Sequence, residues 1–266
     1  MMKSLVRWSA ALGIVGSSLL GSVLLPNLPA LALPDEQVVQ KLQAVPVFTI
    51  TDTQGAPLVA SVPNAQNKQV AVAPAFISQR DAQAFVEKLK KDKPELAKTV
   101  QVVPVSLGEV YKLGKDGQTK PDGLNFQYVP VQQQVQSAQA IMSQGGKQGQ
   151  QFAGTPLFVA TGATPQEYVV FPQQNGQQAI PFFFSKEELQ KIVDTIKQKQ
   201  PDTKIQIQVV PLESVIQKLQ TSNDPFVEKI QLVRSPEAEQ FVQSLPASKP
   251  GAQQAPQQRP AQAPRR

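Results

Sequence analysis

Residues 74–104 and 181–211 are two copies of one pattern, and this duplication limits the possible folds more than any other feature of the chain. At a constant offset of 107, Pro74, Phe76, Ser78, Gln83, Val86, Lys90, Pro94, Gln101, Val102, Val103 and Pro104 each meet an identical residue. That is 11 of 31 positions, where ordinary residue usage gives about two by chance. Most of the differing pairs exchange apolar for apolar, as in Ala82 with Leu189, Phe85 with Ile192, Leu89 with Ile196 and Val100 with Ile207. Upstream, Val45-Pro46-Val47-Phe48 is similar to Thr155-Pro156-Leu157-Phe158. One unit is therefore used twice, and two copies are too few for a solenoid. The expectation is a body with pseudo-twofold symmetry.

The unit has a readable physical form. Ser78 is a good N-cap, with Asp81 three residues on, and Ala82, Phe85, Val86 and Leu89 follow on one helical stripe. Ser185 and Glu188 form a capping box ahead of Leu189, Ile192, Val193 and Ile196. Pro94 and Pro201 stop these helices. Residues 204–209 alternate Lys-Ile-Gln-Ile-Gln-Val, the pattern of a strand with one wet face, and residues 100–105 are the partner in the first copy. A short helix follows each strand, at 107–113 and 212–219. A further strand comes at 126–129 and 229–233, and a last helix closes each half. The second of these closing helices opens on Ser235-Pro236-Glu237, an N-cap, an N1 proline and an acidic first turn. Ahead of the main helix each half carries short strands, at 47–51, 58–61 and 69–73 and at 156–160, 168–171 and 178–182.

Strands and helices do not alternate as regular βαβ units. The predicted fold is α+β, two pseudo-twofold-related repeats, each a mostly antiparallel sheet with helices packed on it. The first repeat spans 33–143 and the second 152–245. Residues 144–151, with Gly145, Gly146 and Gly149, are the linker. Residues 246–266 form a Pro/Gln-rich basic tail with no core-forming residues, expected to be disordered.

Composition excludes several function classes. The chain has no histidine and no cysteine. The commonest general base and metal ligand, thiolate chemistry, disulfides and Cys-based zinc sites are thus all absent. Gly145-Gly146-Lys147 lacks the spacing and the following Ser or Thr of a phosphate loop. The net charge of +6 belongs to the ends. Lys3, Arg7, Lys249, Arg259, Arg265 and Arg266 are six of the 26 basic residues, and the remaining 20 match the 20 acidic ones. The near-neutral body offers no footprint for nucleic acid. The chain is read as a binding protein, not an enzyme, with no small-molecule cofactor, no catalytic residue and no metal site.

Residues 1–32 read as an export signal: Lys3 and Arg7, an apolar run from Trp8 to Leu25, then Ala30-Leu31-Ala32 as the cleavage site. The leader has no twin-arginine pair and no lipobox cysteine, so the general secretory route is expected. An uncleaved anchor is the competing reading, against which Gly13, Gly16, Gly21 and Pro26 stand.

The most unusual local feature is Phe182-Phe183-Phe184, aligned with Ala75-Phe76-Ile77. These residues read either as strand ends with their side chains in the core, or as rings lining an exposed apolar groove in each half for client segments. On the second reading the candidate client-binding residues are Phe76, Ile77, Phe182, Phe183 and Phe184.

The sequence resembles the family of the twenty-two-kilodalton subunit of the Tic translocon of the chloroplast inner envelope, with its cyanobacterial homologues. The residues that carry the resemblance are Val45-Pro46-Val47-Phe48, Gly154-Thr155-Pro156-Leu157-Phe158-Val159, Pro181-Phe182-Phe183-Phe184-Ser185 and Val209-Val210-Pro211-Leu212. It spans roughly residues 33–245. The resemblance implies a soluble chaperone-like factor of protein import or outer-membrane biogenesis, without nucleotide or cofactor. The implied partners are unfolded outer-membrane or secreted proteins and the outer-membrane barrel-assembly machinery. Periplasm is the expected location, with the thylakoid lumen as the alternative. The alternative function is a structural adaptor for a membrane-embedded assembly or translocation partner.

Overall fold

The computed structural model describes residues 33–63, 69–118, 123–146, 149–173, 176–222 and 224–245. The expected export signal, the basic tail and Lys147 of the linker lie outside the described residues. Among those described, no helix is long and apolar enough to cross a membrane.

The first half runs α1 (Asp35–Gln43), β1 (Pro46–Asp52), β2 (Ala60–Pro63), β3 (Gln69–Phe76), α2 (Gln79–Asp92), α3 (Pro94–Ala97), β4 (Val100–Ser106), α4 (Leu107–Gln118), β5 (Asn125–Val129) and α5 (Gln132–Gln144). The second half runs β6 (Pro156–Thr161), β7 (Phe171–Pro172), β8 (Gln178–Phe183), α6 (Lys186–Lys199), β9 (Gln206–Pro211), α7 (Leu212–Thr221), α8 (Phe226–Lys229), β10 (Ile230–Val233) and α9 (Pro236–Ser244).

Each half builds its own sheet, and the two sheets correspond strand for strand. In the first, β1 pairs antiparallel with β3 and β4, β5 pairs parallel with β3, and β2 pairs antiparallel with the start of β3. In the second, β6 pairs antiparallel with β8 and β9, β10 pairs parallel with β8, and β7 pairs antiparallel with the start of β8. The registers match too: Phe48 faces Phe76, and Phe158 faces Phe183. The sheets are thus mostly antiparallel with one parallel pair each, and the fold is α+β as the sequence predicts.

The helices begin where the caps require. Ser78 Oγ accepts from Asp81 N at 3.2 Å, Ser185 Oγ from Glu188 N at 3.4 Å, and Ser235 Oγ from Ala238 N at 3.2 Å. Pro94 ends α2 and also opens α3, filling an N1 position where its missing N–H costs nothing. α4 is longer than the 107–113 expected and reaches Gln118. Gly114 lies inside this helix, where the Phe126 ring approaches to 3.7 Å of the position a Cβ would take.

The sheets bury both faces. Their inner faces share one core with α1, α4 and α7, in which Val47 and Ala75 of the first sheet meet Leu157 and Phe182 of the second. Each outer face has a core of its own. Phe48, Ile50 and Phe76 pack under α2 with Phe241 of α9. Phe158, Ala160 and Phe183 pack under α6 with Ala138 and Ile141 of α5. The closing helices are therefore exchanged: α5, from the first half, covers the second sheet, and α9, from the second half, covers the first. The boundary between the repeats falls between α5 and β6, but the packing does not divide there.

Polar contacts support the exchange. Glu237 of α9 accepts from Ser78 Oγ at 3.2 Å and from Arg80 N at 3.0 Å, at the start of α2. Gln134 of α5 accepts from Lys186 N at 3.0 Å and donates to Glu187 at 2.7 Å, at the start of α6. Each exchanged helix thus satisfies orphan donors of the partner helix.

Candidate functional site

The structure buries all five candidate client-binding residues. Phe76 and Ile77 are 4% and 5% exposed, and Phe182, Phe183 and Phe184 are 2%, 5% and 3% exposed. Strand alternation divides them. Ile77, Phe182 and Phe184 enter the shared inner core, while Phe76 and Phe183 enter the outer cores. Phe182 also stacks in a ring cluster, with centroids 6.0 Å from Tyr168 and 6.4 Å from Phe226. The groove reading is corrected accordingly: these residues hold the sheets together and leave no strip for a client. The physical reason is that both sheet faces are covered. A signal was present, because β6 and β8 are continuous apolar runs, the pattern of strands buried on both sides. Of the helical stripe residues, Phe85 is exposed, its ring 5.6 Å from Phe76.

Outside the shared apolar core, polar contacts line the seam between the halves. Close approach of α1 and α4 requires Gly108, where a Cβ would stand 2.6 Å from Val39 O. Beside that crossing, Tyr111 Oη donates to Asp35 at 3.1 Å and accepts from Gln220 Nε2 of α7 at 2.9 Å. Lys115 pairs with the same Asp35. The Lys115 ammonium holds the Asp35 carboxyl below its usual range, and burial pushes the Tyr111 phenol up. A cleft of about 360 Å³ opens here, lined by Asp35, Tyr111 and Lys115. A second, of about 240 Å³, lies between α4, β5 and α7. A third, of about 520 Å³, follows β5 to Gly154 and Glu213.

Tyr128 borders the last two clefts. Burial raises its phenol above the usual tyrosine range, and the Glu213 carboxylate adds to the effect. Glu213 accepts from Thr155 N with both oxygens, at 3.0 and 3.1 Å. Gly154, at φ +94°, makes the approach possible, since a Cβ there would meet Glu213 Oε2 at 2.5 Å. At the corresponding place in the other half, the Lys41 ammonium of α1 donates to the carbonyls of Glu228 at 2.7 Å and Ile230 at 3.1 Å. Burial lowers its pKa from the usual lysine value, with Glu228 opposing. Sequence reasoning missed these seam residues, because single polar residues on amphipathic helices carry no motif.

Three comparisons with known proteins bear on this arrangement. A family model described as the Tic22-like family matches residues 15–244. The chain is 27% identical to "Protein TIC 22, chloroplastic" of Arabidopsis thaliana over 73% of its length, and it spans 65% of that relative. It is 24% identical to the protein of the same name from Pisum sativum, over 73% of this chain and 70% of that one. Among solved structures, Anabaena Tic22, a protein-transport protein, superposes with a TM-score of 0.73 at 33% identity, covering 82% of this chain and all of that one. Tic22 from Plasmodium falciparum superposes with a TM-score of 0.60 at 22% identity, over 77% of this chain and 95% of that one, which shows a shared fold.

Proposed function

Since the chain belongs to the Tic22-like family, we propose that it serves protein transport outside the cytoplasm, as a soluble periplasmic factor that holds unfolded envelope polypeptides without nucleotide. The observation that carries this reading is the superposition on Anabaena Tic22 over 82% of the chain at 33% identity. The leader at residues 1–32 supports export, with Ala30-Leu31-Ala32 as the cleavage site and Leu33 as the mature start. The absence of histidine, cysteine and a phosphate loop supports action by surface binding rather than by covalent chemistry.

A second reading is a structural adaptor that binds one folded membrane-assembly or translocation partner. Burial of Phe76, Ile77, Phe182, Phe183 and Phe184 favours it, because the apolar strips expected of a general holdase are consumed by the core. Photo-crosslinking in intact host cells, followed by mass spectrometry of the captured proteins, separates the two. Many unfolded precursors captured in substoichiometric amounts support the first reading. One saturable partner supports the second. Capture of cytoplasmic proteins alone contradicts both.

A further inference from the structure

We propose that β5 is a strand-addition site for an extended, unfolded polypeptide segment that carries a lysine or arginine. The inference deepens the protein-transport reading and rests on it. It follows from asking where the backbone groups of each outer strand go.

Apart from the short β2 and β7, which pair only with the start of β3 and β8, each sheet ends in two outer strands. In β4, Leu107 N donates to Val45 O at 2.8 Å, so odd-numbered residues face β1 and Pro104 faces outward. In β9, Leu212 N donates to Thr155 O at 2.7 Å, so Pro211 likewise faces outward. A proline in an outer strand removes a donor from the open side and obstructs pairing. Both prolines belong to the repeat, so both sheets carry this obstruction on the same strand. On β10, Lys41 already occupies the outward carbonyl of Ile230, and α1 stands alongside.

β5 has neither an outward proline nor a lysine on its outer carbonyls, and the helix packed against it, α4, is the one that leads into it. Ile77 N donates to Val129 O at 3.1 Å, so Val129, Gln127 and Asn125 direct their backbone groups toward β3. By alternation, Phe126 and Tyr128 turn theirs away. These two N–H and two C=O groups form no hydrogen bond among the described residues. They correspond to Ile230 and Leu232 of β10, where the edge has its lysine. The β5 edge has no such lysine, because it does not face a counterpart of α1.

The space beside β5 fits an extended chain. The cleft of about 520 Å³ runs along Asn125, Gln127 and Tyr128, and Gly154 and Glu213 form its far wall. The charge there selects the occupant. Glu213 accepts only from Thr155 N and meets no ammonium or guanidinium among the described residues, whereas Lys115, in the neighbouring cleft of about 240 Å³, is paired with Asp35. A segment laid on β5 would place a basic side chain beside Glu213, as Lys41 lies beside Glu228 in the other half. Backbone bonds to Phe126 and Tyr128 read no particular sequence, which suits many clients.

The test uses the chain from Leu33 onward and a labelled nonapeptide of alternating threonine and lysine. Anisotropy should show binding. Hydrogen exchange should slow at the Phe126 and Tyr128 amides and not at Ile230. A peptide N-methylated at alternate residues should not bind, and an alternating threonine and glutamate peptide should bind far more weakly. Glu213→Gln, which still accepts from Thr155, should weaken the basic peptide about five-fold, the scale of one exposed charge contact. Binding without protection of the two amides overturns the site and leaves the transport reading intact. So does failure to bind the peptide while the chain still suppresses aggregation of an unfolded protein. Failure of both overturns the site together with the function it rests on.

Discussion

The two sheets share strand order, register and capping serines, but they are closed by different kinds of helix. The second sheet is covered by α5, which is tethered at both ends and packs through the fully buried Ala138 and the partly buried Ile141, with no aromatic ring. The first sheet is covered by α9, which has no described element after it and packs through one large side chain, Phe241, edge-on to Phe48 at 5.1 Å. The helix-start contacts differ as well. Gln134 is neutral where Glu237 is charged. The difference shows that duplication repeated the sheets while the closing elements diverged. It also shows that neither half can bury its outer sheet face without the other. Four predictions probe this contrast.

The largest effect concerns the equivalent rings at the two outer faces. Phe48 and Phe158 are both fully buried, so Phe48→Ala and Phe158→Ala should each cost ~3–5 kcal/mol. Denaturant unfolding should remain one cooperative transition in both variants, because the halves share a core. Two separate transitions would break the single-body account.

Next is Phe241→Ala, expected to cost ~2–4 kcal/mol as a partly buried ring. Although Phe241 belongs to the second half by sequence, amide exchange should speed up in β1 and β3 of the first half. Faster exchange confined to β6 and β8 would refute the exchange of closing helices.

Ser78→Ala and Ser185→Ala should each lose about 1 kcal/mol, as N-cap removal does. The Ser78 change should be the larger, because it also removes a hydrogen bond to the exchanged helix, whereas Ser185 bonds Glu187 of its own helix. Equal effects in urea titrations would mean that the Ser78–Glu237 bond adds no more than the Ser185–Glu187 bond does.

The smallest effect is on pH dependence. Burial opposes ionisation of Glu187, but hydrogen bonds from Gln134, its own N–H, Ser185 and Gln133 outweigh it and hold the carboxyl below the usual range. Its stabilising contribution is thus complete above the unfolded glutamate pKa and fades as pH falls through the lower folded value. Asp81 at the equivalent start of α2 is shifted the other way, mainly by burial, with Glu237 adding to the rise. Its ionised form is disfavoured in the fold, so this contribution is lost as pH rises through the folded value. Glu187→Gln should therefore flatten the acid side of the stability profile, and Asp81→Asn should not. A steeper acid limb in Glu187→Gln would reverse the assignment.

Much of the fold was legible because it is written locally and twice. Ser78 and Ser185 mark helix starts by hydrogen-bond chemistry within three residues, and the offset of 107 carries each element to its counterpart. The exchange of α5 and α9 was not legible, since a repeat aligns elements without saying which sheet each helix covers. Helix α5 is glutamine-rich and weakly patterned, so its buried face, Gln134 and Ala138, resembles its exposed one. The candidate site failed for a related reason. Phe182-Phe183-Phe184 was bound to put rings on both sides of a strand, and only the tertiary packing reveals that both sides are roofed. The free backbone of Phe126 and Tyr128 leaves no mark in a sequence at all, because it depends on which neighbours a strand lacks.

The most direct test of the functional account is suppression of aggregation. An outer-membrane barrel protein unfolded in urea is diluted, without ATP, into buffer with increasing amounts of the chain from Leu33 onward, and light scattering is followed. The account predicts that scattering falls as the chain approaches stoichiometric amounts and that the client remains extended in the resulting complex. Unchanged scattering at every ratio, with the chain verified as folded, would contradict it.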